Sequence, residues 1–384
     1  MIYELTRSTV DMPISEEERR RNAAMKLLGT AHQRATELAT SLPKYNESME
    51  QDSDAEEGKD VEAPILESMY LVEGQAGLVT LTNFLSDKFE ELWVMIKTHV
   101  EANWNVGRGR KSPHKPKDVF MMALSVLKRG KPWDVVAQSY NMAAPVFEKL
   151  VGGFVEVVSG YLYALLVETV PKDWPMERMK ADGKVFENFP CVLYAVDVQF
   201  QQTNHPSGNH LESKPFFSGK HNLYGVKTEV AVNSVGLVVH STKYKKGSVA
   251  DKTILMEHLQ THLTLCKKTT NGRLLEDNGP QVEKYPNYWS MIADKGYQGI
   301  QEACRIVLPK KKPRNGTLTL EDKLGNKMVA SDRIIVKNFF GRLCSLWGLM
   351  HKKFRWNLDK YDSFNQLAIA LTNLHVMKYP LPPP

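Results

Sequence analysis

Cys191-Val-Leu-Tyr-Ala-Val-Asp197 and Trp289-Ser-Met-Ile-Ala-Asp294 are two apolar runs that each close on an aspartate, and the second continues straight into Lys295-Gly-Tyr-Gln-Gly299. Short apolar runs of this kind, bounded by turn-forming segments, read as buried strands. A central strand and its neighbour can hold two such aspartates side by side at their ends. That pairing sets the reading of everything around it.

From Val185 onward the chain alternates. Strand-like runs are Cys191–Val196, Tyr224–Val232, Leu237–Tyr244, Trp289–Ala293 and Arg305–Leu308, and helix-like runs are Val249–Leu265, Arg333–Leu349 and Phe364–Met377. Three strands, a helix, two further strands and a closing helix follow the order of an RNase H-like α/β domain. The expectation is a mixed five-stranded sheet flanked by helices over residues 185–378. Segment 309–330, with Asn315-Gly316 and Leu324-Gly-Asn326, reads as a loop insertion, because runs that long without periodicity are usually functional or disordered. Trp347 and Trp356 fall in the apolar pattern of the closing helices and belong to the core.

Upstream the texture differs. Residues 1–66 read as a disordered head: Glu16–Ala39 is charged and could be helical, while Asn46–Ala63 is too acidic and too poor in apolar residues to bury a core. Residues 67–180 read as helical. Phe89, Leu92, Trp93, Ile96 and Val100 stand at helical spacing within Ser86–Ala102. A basic, structure-breaking arm, Gly107-Arg-Gly-Arg-Lys-Ser-Pro-His-Lys-Pro-Lys117, leads into helices over Asp118–Leu127, Pro132–Gln138 and from Ala144. Helix, short turn, helix across 112–170 is the outline of a helix-turn-helix, although any helical bundle has short turns.

The 384 residues suffice for two or three domains, and the hydrophobic share of 42% is ordinary for a globular protein. The net charge of +6 suits a polyanionic partner without requiring one. The 4 cysteines are widely spaced with no C-x-x-C pair, which argues against a zinc ribbon and for reduced thiols. No run approaches about 18 consecutive apolar residues, so no membrane span is expected, and the N-terminus lacks a signal-peptide core. An intracellular, nuclear protein is the expectation; Pro309-Lys-Lys-Lys-Pro-Arg314 reads either as an import signal or as a solvated or DNA-facing loop.

The chemistry that converging carboxylates serve is phosphodiester cleavage. Two Mg²⁺ (or Mn²⁺) ions held about 3.5–4 Å apart activate the attacking oxygen and neutralise the leaving one, and such ions want hard oxygen ligands. Two strand-end aspartates and a third acid from a flanking helix complete the set. The motifs Ala195-Val-Asp197, Gly219-Lys-His-Asn-Leu-Tyr-Gly-Val-Lys-Thr-Glu229, Gly247-Ser-Val-Ala-Asp251, Ala293-Asp-Lys-Gly-Tyr297, Pro309-Lys-Lys-Lys-Pro313 and Phe340-Gly-Arg-Leu343 occur in this order. Together they resemble the DDE superfamily endonuclease domain of PIF/Harbinger-type transposases, and residues 112–170 resemble the helix-turn-helix that precedes it.

The resemblance implies that Asp197 and Asp294 are catalytic carboxylates of a two-metal site. It places the family's last acid, a glutamate, at Lys337 in Val336-Lys-Asn-Phe-Phe-Gly341. An ammonium there would repel a metal ion and could fill a metal position by pairing with an aspartate. Asp332 is the candidate substitute, or else a helix N-cap; were the helix already running there, Asp332 would stand about 140° around it from Lys337. Asp251 is either an N-cap or a supporting group near the site. His258 and His262 lack a third ligand and read as surface or core residues. Basic residues expected to guide DNA are Arg108, Arg110 and Lys111, then Lys243, Lys245, Lys246, and finally Lys310, Lys311, Lys312 and Arg314. The likeness further implies DNA as partner, assembly as a homo-oligomer on DNA ends, and a separate DNA-binding partner protein. Two readings stand open: a transposase-type endonuclease impaired at Lys337, or a catalytically dead DNA-binding or protein-interaction module that keeps the fold.

Overall fold

The computed structural model describes residues 62–207 and 209–382. The helix expected within Glu16–Ala39 lies outside the described residues. All five strand-like runs form strands, but the mixed sheet has seven strands rather than the expected five, because the short β2 and β5, which no apolar run marks, also pair on β3: β1 (Val192–Gln202), β2 (Phe217–Ser218), β3 (Leu223–Asn233), β4 (Val238–Ser241), β5 (Lys245–Lys246), β6 (Ser290–Ile292) and β7 (Ile306–Val307). The order is β2-β3-β1-β6-β7, with β4 and β5 pairing on β3. β1 is antiparallel to β3 and parallel to β6, and β6 is parallel to β7.

β1 is buried at its start on both faces, which explains the unbroken apolar run Cys191–Val196. Its odd and even residues then serve different layers. On one side Gln201 Nε2 donates to the carbonyls of Leu349 and Lys352, so this face meets α9 (Ile334–Leu346) and the chain that follows it. On the other side the Tyr194 hydroxyl meets His262 of α7 (Leu259–Cys266), which follows α6 (Asp251–Glu257) after a break at His258.

The helical region holds α1 (Pro64–Thr82), α2 (Ser86–Asn103), α3 (Pro116–Arg129), α4 (Trp133–Gln138) and α5 (Ala144–Tyr163). α1 begins inside the segment read as a head, and Asp118 explains why: its buried carboxylate accepts the free Ile65 and Leu66 amides of the first turn at 3.3 and 2.9 Å. α3 is the buried hub of this region, apolar on nearly every side from Val119 to Leu127. α5 packs along α10 (Tyr361–Lys378), the closing helix of the sheet domain. The helical region and the sheet therefore share one core.

Ala144–Asp173 is long and apolar enough, at mean hydropathy 1.8, to cross a membrane by composition alone. The absence of any such stretch was the expectation; here the apolar residues Phe147, Val151, Phe154, Val158 and Leu162 are buried within the fold. At Ala164–Glu168 the helix widens into a π turn, which loosens the carbonyl ladder. Leu166 O in that turn accepts from Asn373 Nδ2 of α10, and the same Asn373 side chain bonds both Val238 N and Val238 O on edge strand β4.

The loop expected over 309–330 is half helix. α8 runs from Leu320 to Asp332, opened by a capping box in which Thr319 and Asp322 each bond the other's backbone amide. The sequence carried this signal, Thr-x-x-Asp ahead of a periodic run, beneath the turn-like Gly325-Asn326. Asn326 is used otherwise: its amide bonds Lys310 N and Lys310 O at 2.7 and 3.0 Å and ties the basic loop to α8.

Two histidines are held as neutral rings. Burial, then the charges of His262 and His258, lowers His240 of β4 to about 4; burial, then Arg342 and Lys378, lowers His375 to about 4. Because the unfolded chain takes up these protons first, near the ordinary histidine value of about 6.5, stability is complete above that pH and falls as the pH drops toward 4. His240→Asn should flatten the fall in Tm across that window, which thermal melts at stepped pH will show.

Candidate active site

Register decides how the two aspartates meet. Ala195 pairs with Ile292 across the parallel β1/β6 ladder. Asp197 and Asp294 each lie two residues beyond that pair, on neighbouring segments, and the Asp294 charge acts on Asp197. β6 stops at Ile292 while β1 continues to Gln202. Asp197 is thus not at a strand end, as its run suggested; it sits mid-strand, where the β6 neighbour gives out and a gap opens.

Asp294 is the N-cap of a short 3-10 turn, and its Oδ1 accepts the Gly296 amide at 2.7 Å. A Cβ at residue 296 would lie 2.8 Å from that oxygen and 3.5 Å from Asp251 Oδ2, which shows why glycine follows Lys295. The same contact brings Asp251 beside Asp294. Asp251 makes no N-cap bond; its Oδ1 pairs with Lys227 Nζ of β3 at 2.9 Å, and Lys227 also holds Val249 O. Of the two readings of Asp251, supporting group is the one its contacts fit.

Arg333, at the junction of α8 and α9, places Nη2 3.0 Å from Asp197 Oδ2. The other carboxylate oxygen accepts the Val198 amide. Burial raises the Asp197 pKa, the Arg333 charge opposes that rise, and the neighbouring Asp294 adds to it. The cation on Asp197 is therefore Arg333, whereas the sequence pointed to Lys337. Lys337 lies one helical turn along the same face of α9 and is exposed. The spacing i, i+4 was legible, but Arg333 had been assigned no role beyond opening the helix.

Asp332, the candidate substitute acid, neither caps α9 nor faces the aspartate pair. It is fully buried, and its oxygens accept Asn188 N, Asn188 Nδ2 and Phe189 N in the segment leading into β1. Neighbours in sequence, Asp332 and Arg333 serve opposite ends of that strand's first half.

Behind the pair runs a buried polar chain that sequence reasoning missed. Glu229 of β3 accepts from the Tyr297 hydroxyl at 3.1 Å and lies 3.0 Å from His262 Nε2, while His262 Nδ1 lies 3.0 Å from the Tyr194 hydroxyl. This chain fixes Tyr297, and with it the turn carrying Asp294, against β3 and α7. Its only signal was the alternation of Lys227 and Glu229 within an otherwise apolar strand. His258 does not join His262 in a ligand pair; His262 is a fully buried structural residue.

The basic residues divide. Lys245 pairs with Glu257, and Lys310 with Asp322, at 2.6 and 2.7 Å, so their charges are matched within the protein. Lys246 lies over the Phe216 ring. Lys243, Lys311, Lys312 and Arg314 are exposed, as are Arg108, Arg110 and Lys111 in the arm before α3. Gln298 Nε2 bonds Pro309 O, which ties the start of the 309–314 loop to the Asp294 turn.

The donor set can be tested against a divalent ion. Mg²⁺ requires near-octahedral oxygen ligation. Asp197 already holds a guanidinium, Asp251 an ammonium, and no group of three or more His, Cys, Asp or Glu side chains among the described residues is placed to hold a metal ion. The arrangement does not fit a two-metal centre.

With this geometry in view, sequence comparison shows what the chain is similar to. Residues 196–373 match the family model described as DDE superfamily endonuclease, a span that starts beside Asp197 and takes in Asp294, Arg333 and Lys337. A protein of Microchaete diplosiphon described as a probable transposase for insertion sequence element IS702 is 25% identical over 161 residues, 42% of this chain and 50% of that protein. The chain spans about half the length of that relative. No solved structure matches.

Removing Asp332 leaves the Asn188 and Phe189 amides buried without an acceptor. Asp332→Ala should lower unfolding free energy by about 2–4 kcal/mol in urea titrations. Retention of full stability would show that Asp332 does not anchor the approach to β1.

Proposed function

We propose that this chain is a transposase-type DNA-handling protein whose endonuclease centre is disabled at Lys337. The strand order, with β1, β6 and β7 parallel and β3 antiparallel, supports an RNase H-like reading of the sheet domain. The register that leaves Asp197 and Asp294 each two residues beyond the Ala195–Ile292 pair supports their role as two carboxylates of such a centre. We read α3, α4 and α5 as a duplex-contacting helix-turn-helix; α5 is largely packed in the core, and its exposed first turn carries Pro145, Val146 and Lys149. Assembly on DNA ends, a separate DNA-binding partner protein and a nuclear location guided by Pro309–Arg314 belong to the same reading.

One observation carries the disablement. Arg333, at the start of α9, already neutralises Asp197, and Lys337, the position that the resemblance gives to the last acid, follows one turn on and is exposed. A divalent ion and an ammonium about 4 Å apart repel by about 8 kcal/mol at an effective dielectric constant of about 20. A missing acidic ligand adds to that, so the cost in rate is several orders of magnitude.

Lys337→Glu should convert the silent chain into one that nicks duplex DNA with Mg²⁺ or Mn²⁺, and adding Asp197→Ala should abolish the gain. Cleavage by the unmodified chain would refute the disablement. Silence from Lys337→Glu, with DNA still bound, would favour a module that has lost catalysis altogether.

A further inference from the structure

A cationic cavity lies at the glycine contact between α3 and the segment after α9. Gly130 closes α3 in the left-handed conformation at φ 51, and a Cβ there would meet Leu349 N at 2.5 Å. The contact is reciprocal, since a Cβ on Gly348 would meet Lys128 O at 2.5 Å. Two backbones are thereby pressed together, and each brings cations. Lys128, Arg129 and Lys131 come from the end of α3, and Lys352 from the turn after Gly348. These four line a cavity of about 410 Å³ that Ser139, in the turn between α4 and α5, closes from the side.

The positions are held from within. Lys352 Nζ donates to Arg129 O, Arg129 Nη1 to Ser139 Oγ at 2.9 Å, and Lys128 Nζ to Val79 O. No carboxylate pairs with any of the four cations among the described residues, although Lys88, Lys97, Lys117, Lys227, Lys245, Lys268 and Lys310 all have acidic partners. The C-terminal dipole of α3 is worth about half an elementary charge, which answers one cation in part and leaves the rest unmatched. Burial first, then the neighbouring Arg129 charge, lowers Lys128 to about 8. Gathering four like charges without a counter-charge is unfavourable unless an anion arrives.

We propose that this cavity is a phosphate clamp that grips the sugar-phosphate backbone of duplex DNA, spanning the α4–α5 turn and the sheet domain's Gly348–Lys352 segment. This rests on the DNA-handling reading, and it adds a contact separate from both the aspartate pair and the basic loops near it. A phosphodiester fits because the donors are ammonium, guanidinium and hydroxyl groups, which suit phosphate oxygens. Binding here is independent of sequence and of Lys337.

The test is fluorescence anisotropy of the full chain with a labelled duplex across a salt series, comparing Lys131→Gln, Lys352→Gln and their double variant, with melts to confirm folding. Among the described residues Lys131 has no hydrogen-bond or ionic partner, so its variant keeps the test independent of any structural role of Lys352. Loss of two phosphate contacts should lower the slope of log Kd against log salt by about 1.8 and raise Kd at least about fivefold. Lys352→Arg should bind like the unmodified chain. Unchanged Kd and slope in Lys131→Gln and in the double variant would overturn the clamp while leaving the cleavage test of Lys337→Glu standing. Failure of the unmodified chain to bind duplex at low salt would overturn both.

Discussion

The parallel pairing of β1 with β6 stops at Ala195 and Ile292, and the functional architecture depends on where it stops. Had β6 continued, the Asp197 backbone, already paired with Val230 of β3, would be paired on both sides, and the Asp294 turn would not form there. Because β6 turns away after Ile292, β1 carries Asp197 into a gap that the Asp294 turn shares. A short neighbour beside a long central strand makes an opening in an otherwise closed sheet.

Electrostatics then settles what the opening holds. Neighbouring carboxylates repel each other, and burial raises the cost for Asp197. The fold answers with cations already on the chain: Arg333 on Asp197, Lys227 on Asp251. Each is locked by a neighbour, Arg333 by following Asp332 into the packed α8–α9 junction and Lys227 by Val249 O. Two of the three carboxylates are thus matched by cations within the protein, while Asp294 accepts the Gly296 amide. The cavity at Lys128 shows the reverse, cations without acids, and the two sites lie on opposite accounts of the same charge distribution.

Much of this was legible in the sequence. The runs ending at Asp197 and Asp294 marked the two central strands, because strands buried on both faces must be apolar throughout and a charge interrupts them visibly. Lys337 stood out since a motif fixes the residue type expected there. α8 was missed because Gly325-Asn326 resembles a turn, and the capping box of Thr319 and Asp322 was outweighed. Asp332 was misassigned because position along a helix says nothing about which distant amides lie within reach; Asn188 and Phe189 are brought there only by the closing of the sheet.

By itself the sequence marked the five principal strands and singled out Asp197, Asp294 and Lys337 as candidates, since these follow from local periodicity and from motif spacing. Only the tertiary structure decided that Arg333 rather than Lys337 neutralises Asp197, that Asp251 joins the site through Lys227, and that Gly130 and Gly348 press four cations around one cavity. Those outcomes depend on distances between residues far apart in the chain. Such distances are set by strand register and by backbone contacts that no single segment encodes.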